Sequence, residues 1–265
     1  MMAGTMQLEN GRVISHEQLA PEEFLLTLYA PEIAAKAKPG QFVNVQISQQ
    51  IQPLLRRPIS IHDVDAQKGL MLLYYHVVGT GTELLSRLTP QEEISLLGPL
   101  GHGFDTSVSA SRVYVVGGGI GQAPLRYLAR VLAEQGNEVV AVMGARDAQG
   151  LQAVHFYEEN GMTLKLSTED GSLGTQGFVT EHLKNLEAEK VKAVYACGPK
   201  PMLRAIKALT EAQQIPCQVS LEEKMACGVG VCLGCTCKST DPQAAYPKVC
   251  THGPVFWAQE VDLND

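Results

Sequence analysis

The chain has 265 residues, of which 45% are hydrophobic, and its 28 acidic and 21 basic residues give a formal net charge of −7. This length predicts two or three compact domains, and the acidic balance excludes a protein that mainly binds the phosphate backbone of nucleic acids. The N-terminus lacks the regions of a signal peptide, and no apolar run approaches a membrane span. We therefore expect a cytoplasmic protein with reduced thiols and with no nucleic-acid or membrane partner.

Residues 1–104 are predicted to form a small antiparallel β-barrel. Apolar and polar residues alternate over 41–48, which indicates a half-buried strand, and apolar runs over 70–78 and 93–97 indicate further strands. Glycine and proline mark turns between these runs. Short strands separated by regular turns are typical of such barrels.

Residues 105–221 are predicted to form a doubly wound α/β domain with a parallel sheet, because predicted strands alternate with predicted helices. The five strands are expected over 112–116, 138–143, 163–167, 193–196 and 218–221, and the four helices over 124–135, 151–159, 179–186 and 201–213. Residues 222–265 are rich in glycine and cysteine and have little periodicity. We expect them to form a small third domain that a metal centre holds together.

Four cysteines near the C-terminus have the spacing of a plant-type [2Fe–2S] site. Four residues separate Cys227 from Cys232, two separate Cys232 from Cys235, and fourteen separate Cys235 from Cys250. The glycines between them let the loop curl so that its sulfurs converge. A zinc site is the alternative, but zinc knuckles usually contain two Cys-x2-Cys pairs and this segment has one. The spacing therefore favours the iron-sulfur cluster.

The other three cysteines have different assignments. Cys197 ends a predicted strand in the segment Cys197-Gly198-Pro199, where ligands of such sheets gather. We predict that Gly198 and Pro199 bind the dinucleotide, and we assign Cys197 a catalytic place beside its nicotinamide. A small buried apolar side chain is the alternative. Cys217 and Cys237 are assigned to packing, with Cys237 as a substitute cluster ligand. Seven cysteines are an odd number, which disfavours a disulfide framework.

A glycine-rich turn after the first strand of the α/β domain is predicted to bind the pyrophosphate of a dinucleotide. Such a turn brings backbone N–H groups and a helix N-terminus against phosphate oxygens. The residues concerned are Gly118, Gly119, Gly121 and Pro124. The alternative is a turn without a ligand, and residues 144–147 after the second strand give mixed signals for NAD or NADP.

Two stretches of the predicted barrel carry groups suited to a flavin nucleotide. In the first stretch, a guanidinium can bind pyrophosphate and a hydroxyl can hydrogen-bond a flavin ring atom. In the second stretch, aromatic rings can stack on flavin or adenine, and the N–H groups of a turn can bind phosphate. A plain surface turn is the alternative for the first stretch. The residues are Arg57, Pro58, Ile59 and Ser60, followed by Tyr74, Tyr75, His76, Gly81 and Thr82.

These motifs, in this order along nearly the whole chain, resemble the ferredoxin–NADP reductase superfamily. The stretch over 222–237 is similar, more narrowly, to the electron-transfer subunits of type B dihydroorotate dehydrogenases. The resemblance implies that FAD binds the nine barrel residues, that NAD(H) binds the glycine-rich turn, and that the four spaced cysteines hold the cluster. It also implies an FMN-containing catalytic subunit as partner, with two copies of each subunit.

The resemblance further implies a route for electrons in pyrimidine synthesis. Electrons from dihydroorotate would pass from the partner's FMN through the cluster and FAD to NAD+, because a flavin exchanges both hydrides and single electrons. Four apolar residues beside the cysteines are expected either to contact the partner or to cover their own cluster: Met225, Val229, Val231 and Leu233. The alternatives for the whole chain are a related reductase subunit and a non-catalytic, zinc-stabilised nucleotide-binding module.

Overall fold

The computed structural model describes residues 6–47, 53–184 and 186–264. Within these ranges, six antiparallel strands close into a barrel in the order β1-β2-β5-β4-β3-β6, as the sequence predicted. The strands are β1 (Gln7–Ala20), β2 (Glu23–Tyr29), β3 (Phe42–Val45), β4 (Arg57–Asp65), β5 (Leu70–His76) and β6 (Glu93–Leu100). Two short helices accompany them, α1 (Pro31–Ala34) and α2 (Thr80–Leu85).

Strand β3 differs from its prediction over 41–48. It is shorter, and all four of its residues are buried, including Asn44, whose side chain is 0% exposed. The alternation indicated a half-buried strand, but the C-terminal segment covers the face on which Asn44 lies. Residue 48 of that prediction lies outside the described residues, as do 1–5, 49–52 and 265 of the predicted domains.

A second sheet contains the five predicted parallel strands. Its order over the described chain is β10-β9-β8-β7-β11-β12-β13, and the outermost strand β13 runs antiparallel to β12. The strands are β7 (Arg112–Gly118), β8 (Glu138–Ala145), β9 (Thr163–Thr168), β10 (Thr175–Gln176), β11 (Val191–Cys197), β12 (Cys217–Ser220) and β13 (Val255–Trp257). Since β13 comes from the cysteine-rich segment, that segment is joined to the sheet by main-chain hydrogen bonds.

The helices of this half are α3 (Leu125–Glu134), α4 (His155–Glu159) and α5 (Lys200–Ala212). Helix α4 begins later than predicted because a separate 3-10 turn precedes it, which Asp147 caps by accepting N–H bonds from Gln149 and Gly150. The helix predicted over 179–186 is a 3-10 helix, Val179–Leu183, and residue 185 lies outside the description. In the described ranges, no helix has both the length and the apolar character needed to cross a membrane.

One continuous core joins all three predicted domains. Phe42 and Leu100 of the barrel pack in the same cluster as Val219 of the sheet and Val249 and Phe256 of the C-terminal segment. The N–H of His102 also donates to the carbonyl of Gly253 (2.6 Å). The domain boundaries at 104/105 and 221/222 stay predictions, but the cysteine-rich segment lies against both other parts.

Candidate functional site

A cavity of about 570 Å³ opens at the carboxyl ends of β7, β8 and β11, where the strand order reverses. Ligands of doubly wound sheets bind at this switch point. Five of the predicted dinucleotide residues line it: Gly118, Gly119, Gly121, Gly198 and Pro199. The sixth, Pro124, is the N-cap of α3 and shapes the turn without lining the cavity.

The glycine-rich turn leaves an open face towards this cavity. A Cβ at Gly119, where φ is +54°, would meet no atom within 4 Å, whereas a Cβ at Gly121 would lie 2.4 Å from the carbonyl oxygen of Cys197. The turn therefore packs tightly against the end of β11 at Gly121, and it has open space beside Gly119. Such a cradle lets a pyrophosphate approach the backbone closely, so the residues fit a dinucleotide.

The glycine-rich turn has secondary structure of its own. A 3-10 turn, Gly119–Gln122, stands between β7 and α3. The side chain of Gln122 is 3% exposed, and its Nε2 donates to the carbonyls of Gly119 (3.2 Å) and Gly150 (2.7 Å). This glutamine therefore fixes the shape of the turn from beneath.

Cys197 is the last residue of β11, and its side chain is 1% exposed in the core that also contains Leu125. Burial raises the pKa of its thiol, so the sulfur is held neutral. Gly198 and Pro199 line the cavity, but the thiol does not belong to the lining. This placement matches the alternative of a small buried side chain, and the catalytic place beside a nicotinamide stays a prediction.

The two flavin stretches predicted on the barrel lie against each other. Arg57, Pro58, Ile59 and Ser60 open strand β4. A Cβ at Gly81 would lie 2.2 Å from Nε of Arg57, so the guanidinium covers this glycine. The fold therefore sets a cation beside an exposed turn, which fits the pyrophosphate of a flavin nucleotide.

Thr82 has a different task from the expected phosphate contact. Its Oγ1 accepts from the N–H of Val78 (2.9 Å) and lies 3.0 Å from the carbonyl oxygen of Gly79, to which it donates. The hydroxyl therefore stabilises its own turn. A role of Thr82 in flavin binding stays a prediction that rests on the turn it holds.

Two of the rings expected to stack on a flavin or an adenine are buried. Tyr74 is 1% exposed and donates its hydroxyl to Glu23, and Tyr75 is 2% exposed with its hydroxyl 2.9 Å from Nε2 of His16. The stacking expectation is wrong for both rings, because neither has a free face. His76 remains half-buried, with Nε2 3.1 Å from a carboxylate oxygen of Glu22. The assignment of Tyr74, Tyr75 and His76 to the flavin site stays a prediction.

The four predicted cluster cysteines meet as two pairs of thiols. Cys227 lies beside Cys232, and Cys235 lies beside Cys250. Burial, Cys235 and Cys227 together raise the pKa of the Cys250 thiol to about 11. No group of three or more His, Cys, Asp or Glu in the described ranges is arranged to hold a metal ion. Two pairs of sulfurs suit a two-iron cluster, in which each iron takes two cysteine ligands.

The loop around the first cysteine is shaped for a thiolate. The N–H groups of Val229 and Cys232 both point at Sγ of Cys227, at 3.4 Å. Burial raises the pKa of the Cys227 thiol, but these N–H groups outweigh burial and lower the pKa to about 6. Gly228 and Gly230 have φ of +71° and +81°, which side-chain-bearing residues rarely adopt. Since donors to sulfur are usual around iron-sulfur centres, the residues fit the cluster.

Cys237 belongs to neither pair of thiols, although it lies near Cys235. Its side chain is 8% exposed, burial raises the pKa of its thiol to about 11, and its N–H donates to the carbonyl of Pro247 (2.9 Å). Cys217 is 3% exposed in the same core. Both placements agree with the assignment to packing.

The apolar residues beside the cluster loop divide between the two expected roles. Val231 and Leu233 are 78% and 60% exposed and flank the exposed Cys232. Met225 and Val229 are partly buried and pack against the core beneath. The first two therefore face outwards, while the other two cover the loop from within.

Comparison with known proteins assigns the family. Residues 222–262 match the model of the iron-sulfur cluster binding domain of dihydroorotate dehydrogenase B, and residues 115–208 match an oxidoreductase NAD-binding domain. The electron transfer subunit of dihydroorotate dehydrogenase B (NAD(+)) from Geobacillus thermodenitrificans is 41% identical over 96% of this chain and 98% of its own. The subunit from Desulforamulus reducens is 40% identical over 95% and 97%. This chain belongs to the family of these electron transfer subunits.

Solved structures agree with this family. An NADH-dependent reduced ferredoxin–NADP oxidoreductase, studied for flavin-based electron bifurcation, has a TM-score of 0.85 and 29% identity, covering 99% of this chain and 92% of that chain. The ferredoxin reductase of carbazole 1,9a-dioxygenase, at 19% identity and a TM-score of 0.69 over 80% and 67%, shares the fold. The solved structures confirm the predicted fold class. The family models, the relatives and the first of these structures together confirm the oxidoreductase class and the cofactor set of FAD, NAD and a [2Fe–2S] cluster.

Sequence reasoning missed two residues at the sites of this family member. Asn44 pairs with Pro58 across β3 and β4, and its Nδ2 donates to the carbonyl of Cys227 (3.4 Å). A Cβ at Gly228 would lie 2.2 Å from that Nδ2, so the amide fills the space beneath the loop. Phe178, 63% exposed, lines the cavity and offers an aromatic face. No signal in the sequence separated either residue from an ordinary strand or loop position.

Proposed function

We propose that this protein carries electrons from an FMN-containing dihydroorotate dehydrogenase catalytic subunit to NAD+ in pyrimidine synthesis. The names of the relatives support a catalytic partner, and the family shows the oxidoreductase class. The observation that supports the proposal most strongly is the position of β4, which carries the predicted flavin residues over 57–60, between the other two sites. Strand β4 is paired with β3, on which Asn44 reaches the cluster loop, and the same β4 packs against α3 of the dinucleotide half. The flavin residues thus lie between the other two sites.

Each site contributes binding and orientation from its own residues. A bound flavin exchanges hydrides with NAD and single electrons with an iron-sulfur cluster. Arg57 supplies the charge that balances a pyrophosphate, and Gly119 and Gly198 leave room for a dinucleotide at the end of the sheet. The paired thiols would hold the irons, and the N–H groups aimed at Cys227 would stabilise negative charge on its sulfur.

The proposed partner docks over the exposed part of the cluster loop, with two copies of each subunit in the complex. Val231 and Leu233 present apolar surface there, and the intervening Cys232 is itself exposed. Exposed apolar side chains grouped around a functional group favour a protein contact. A cytoplasmic location is part of the proposal, since cluster ligands must be reduced thiols and the seven cysteines of the described chain are free.

Coexpression with candidate catalytic subunits tests the proposal. We expect a stable complex that reduces NAD+ when dihydroorotate is added, and a mass measurement that gives two copies of each chain. The isolated protein should be yellow-brown, with flavin and iron-sulfur absorption that bleaches on addition of NADH. A colourless zinc protein would contradict the whole proposal. A flavin protein that binds another partner would contradict only the assignment to dihydroorotate.

A further inference from the structure

The helix that follows the glycine-rich turn is tied to the barrel by a buried histidine. His62 is 2% exposed on β4, and its Nδ1 lies 2.6 Å from the carbonyl oxygen of Ala123, which directly precedes Pro124. A carbonyl only accepts, so the ring donates its Nδ1–H. Burial lowers the pKa of His62 to about 4, so the ring is neutral at pH 7 and Nδ1 carries its proton.

The next residue of β4 adds a buried carboxylate to this contact. Asp63 is 6% exposed, and its oxygens accept from Nε of Arg126 (3.1 Å) and from Nη2 of Arg130 (2.8 Å). Nη2 of Arg130 also donates to the carbonyl of Val64 (2.9 Å). The guanidinium of Arg126 stacks 4.2 Å from the ring centre of Phe156. A buried charge is tolerated only when it is paired, so both arginines are held in one arrangement.

Helix α3 is wedged between the barrel and the sheet. Tyr127 packs in the barrel core and donates its hydroxyl to the carbonyl of Ala37 (3.0 Å). Leu125 and Leu128 pack in the core of the sheet instead. The residues that face the barrel recur one turn apart along α3, so rotating the helix would break several contacts at once.

One strand therefore carries both the flavin residues and the contacts to the dinucleotide turn. Strand β4 begins with the flavin stretch over 57–60 and reaches His62 and Asp63 within the next three residues. Interfaces between domains usually allow relative motion, and buried polar pairs at this one oppose it. These contacts therefore fix the position of the glycine-rich turn relative to β4, the strand on which the flavin is expected to bind.

We propose that His62 and Asp63 are positioning residues that lock the glycine-rich turn to the flavin barrel and so set the geometry of hydride transfer. This inference rests on the proposed function, because it takes NAD and FAD as the two ligands. Misplacement of reacting groups by about 1 Å costs on the order of 100-fold in rate. These contacts form a seam between the barrel and α3. We expect the seam to affect the rate of hydride transfer and not the binding of either nucleotide, because each nucleotide keeps its own binding residues.

The test compares three variants with a matched control on the same strand. His62→Phe keeps a ring and removes the donor, Asp63→Asn removes the charge, and His62→Gln restores a donor towards Ala123. Asp65→Asn is the control, since Asp65 ends the same strand and its carboxylate forms an ion pair with the exposed Lys68 (3.0 Å) outside the contact with α3. Rapid-mixing absorbance measures flavin reduction by NADH in each purified holoprotein, after its FAD and iron content have been matched to the unaltered protein.

We expect the limiting rate of flavin reduction to fall by about 10- to 100-fold in His62→Phe and Asp63→Asn. The NADH concentration at half-maximal rate should not change. His62→Gln should recover much of the rate, and Asp65→Asn should equal the unaltered protein. A merely structural role would lower the melting temperature or the FAD content and leave the limiting rate of loaded protein intact. That result would overturn the proposal.

Hydrogen exchange separates failure of this proposal from failure of the proposed function. If NADH does not reduce the flavin of the unaltered protein, the proposed function fails. The lock itself is then judged by amide exchange over 119–131, which needs no turnover. Faster exchange there in Asp63→Asn and His62→Phe, and not in Asp65→Asn, supports the lock, and unchanged exchange overturns it. The same comparison applies if a variant loads too little FAD for kinetics.

Discussion

The seam between the barrel and α3 and the loop around the cluster are built in different ways. The seam is held by side chains, with Asp63 between two arginines and His62 on a carbonyl. The loop is held by backbone conformation, with Gly228 and Gly230 at positive φ and N–H groups aimed at Cys227. Packed side chains fix the seam without a ligand, whereas the loop converges on sulfurs that only a metal centre can join. The seam should therefore be sensitive to changes in its polar side chains, and the loop to loss of its cysteine ligands.

The largest expected effect is the loss of the cluster in Cys232→Ser. Cys232 is exposed and paired with Cys227, so no neighbouring sulfur replaces it, and two-iron clusters need all four ligands. Iron analysis and electron paramagnetic resonance should show no cluster, while NADH still reduces the flavin. Cys237→Ser, which changes a cysteine buried outside the pairs, should keep its iron. Equal loss of iron from both variants would refute the ligand assignment.

Acid should weaken the seam through His62. Burial lowers the pKa of His62 from 6.5 to about 4, so between these pH values the unfolded chain binds a proton that the folded chain does not. Stability therefore falls as the pH drops through this window, by up to about 3 kcal/mol from this group. Urea unfolding of the unaltered protein and of His62→Phe at several pH values measures the effect. A slope of the same size in His62→Phe would contradict it.

A side chain should be tolerated at Gly161, between α4 and β9, but not at Gly121 in the glycine-rich turn. A Cβ at Gly121 would lie 2.4 Å from the carbonyl oxygen of Cys197, so we expect Gly121→Ala to cost about 1–3 kcal/mol of unfolding free energy and to weaken NADH binding. Gly161→Ala is the control. Its Cβ would meet no atom within 4 Å, and only its φ of +71° costs about 1 kcal/mol. Thermal unfolding and NADH titration compare the two, and equal effects would show that contact with Cys197 is unimportant.

The last expected effect is a change in cluster potential at the contact between the barrel and the cluster loop, in addition to the loss of stability that a buried, unpaired carboxylate causes. Asn44→Asp keeps the shape of a side chain whose Oδ1 has no partner among the described atoms, but it puts negative charge beside the carbonyl of Cys227. Because nearby charge sets the potential of iron-sulfur centres, the cluster should become harder to reduce. A redox titration followed by electron paramagnetic resonance measures the shift. An unchanged potential, with full iron content, would show that Asn44 has no influence on the cluster.

Patterns local in sequence predicted much of this molecule. The five parallel strands and helices α3 and α5 were recognised from periodicity, because each buries one regular face. The four-cysteine spacing was readable because three ligands come from one short loop. The 3-10 helix Val179–Leu183 and the late start of α4 were not predicted, since short turns depend on single contacts such as the cap from Asp147.

The sequence by itself determined the fold class and the cofactor motifs, since these rest on residue types at fixed spacings, and the order of the motifs resembled that of one family. Only the tertiary structure decided which side chains are exposed and which are buried. Tyr74 and Tyr75 looked like stacking rings and are enclosed, while Asn44 looked half-exposed and is buried beside Cys227. No sequence motif includes His62, and its ring contacts Ala123, 61 positions away along the chain. Contacts between distant segments depend on how the barrel, sheet and loop close on one another, and no local pattern records that closure.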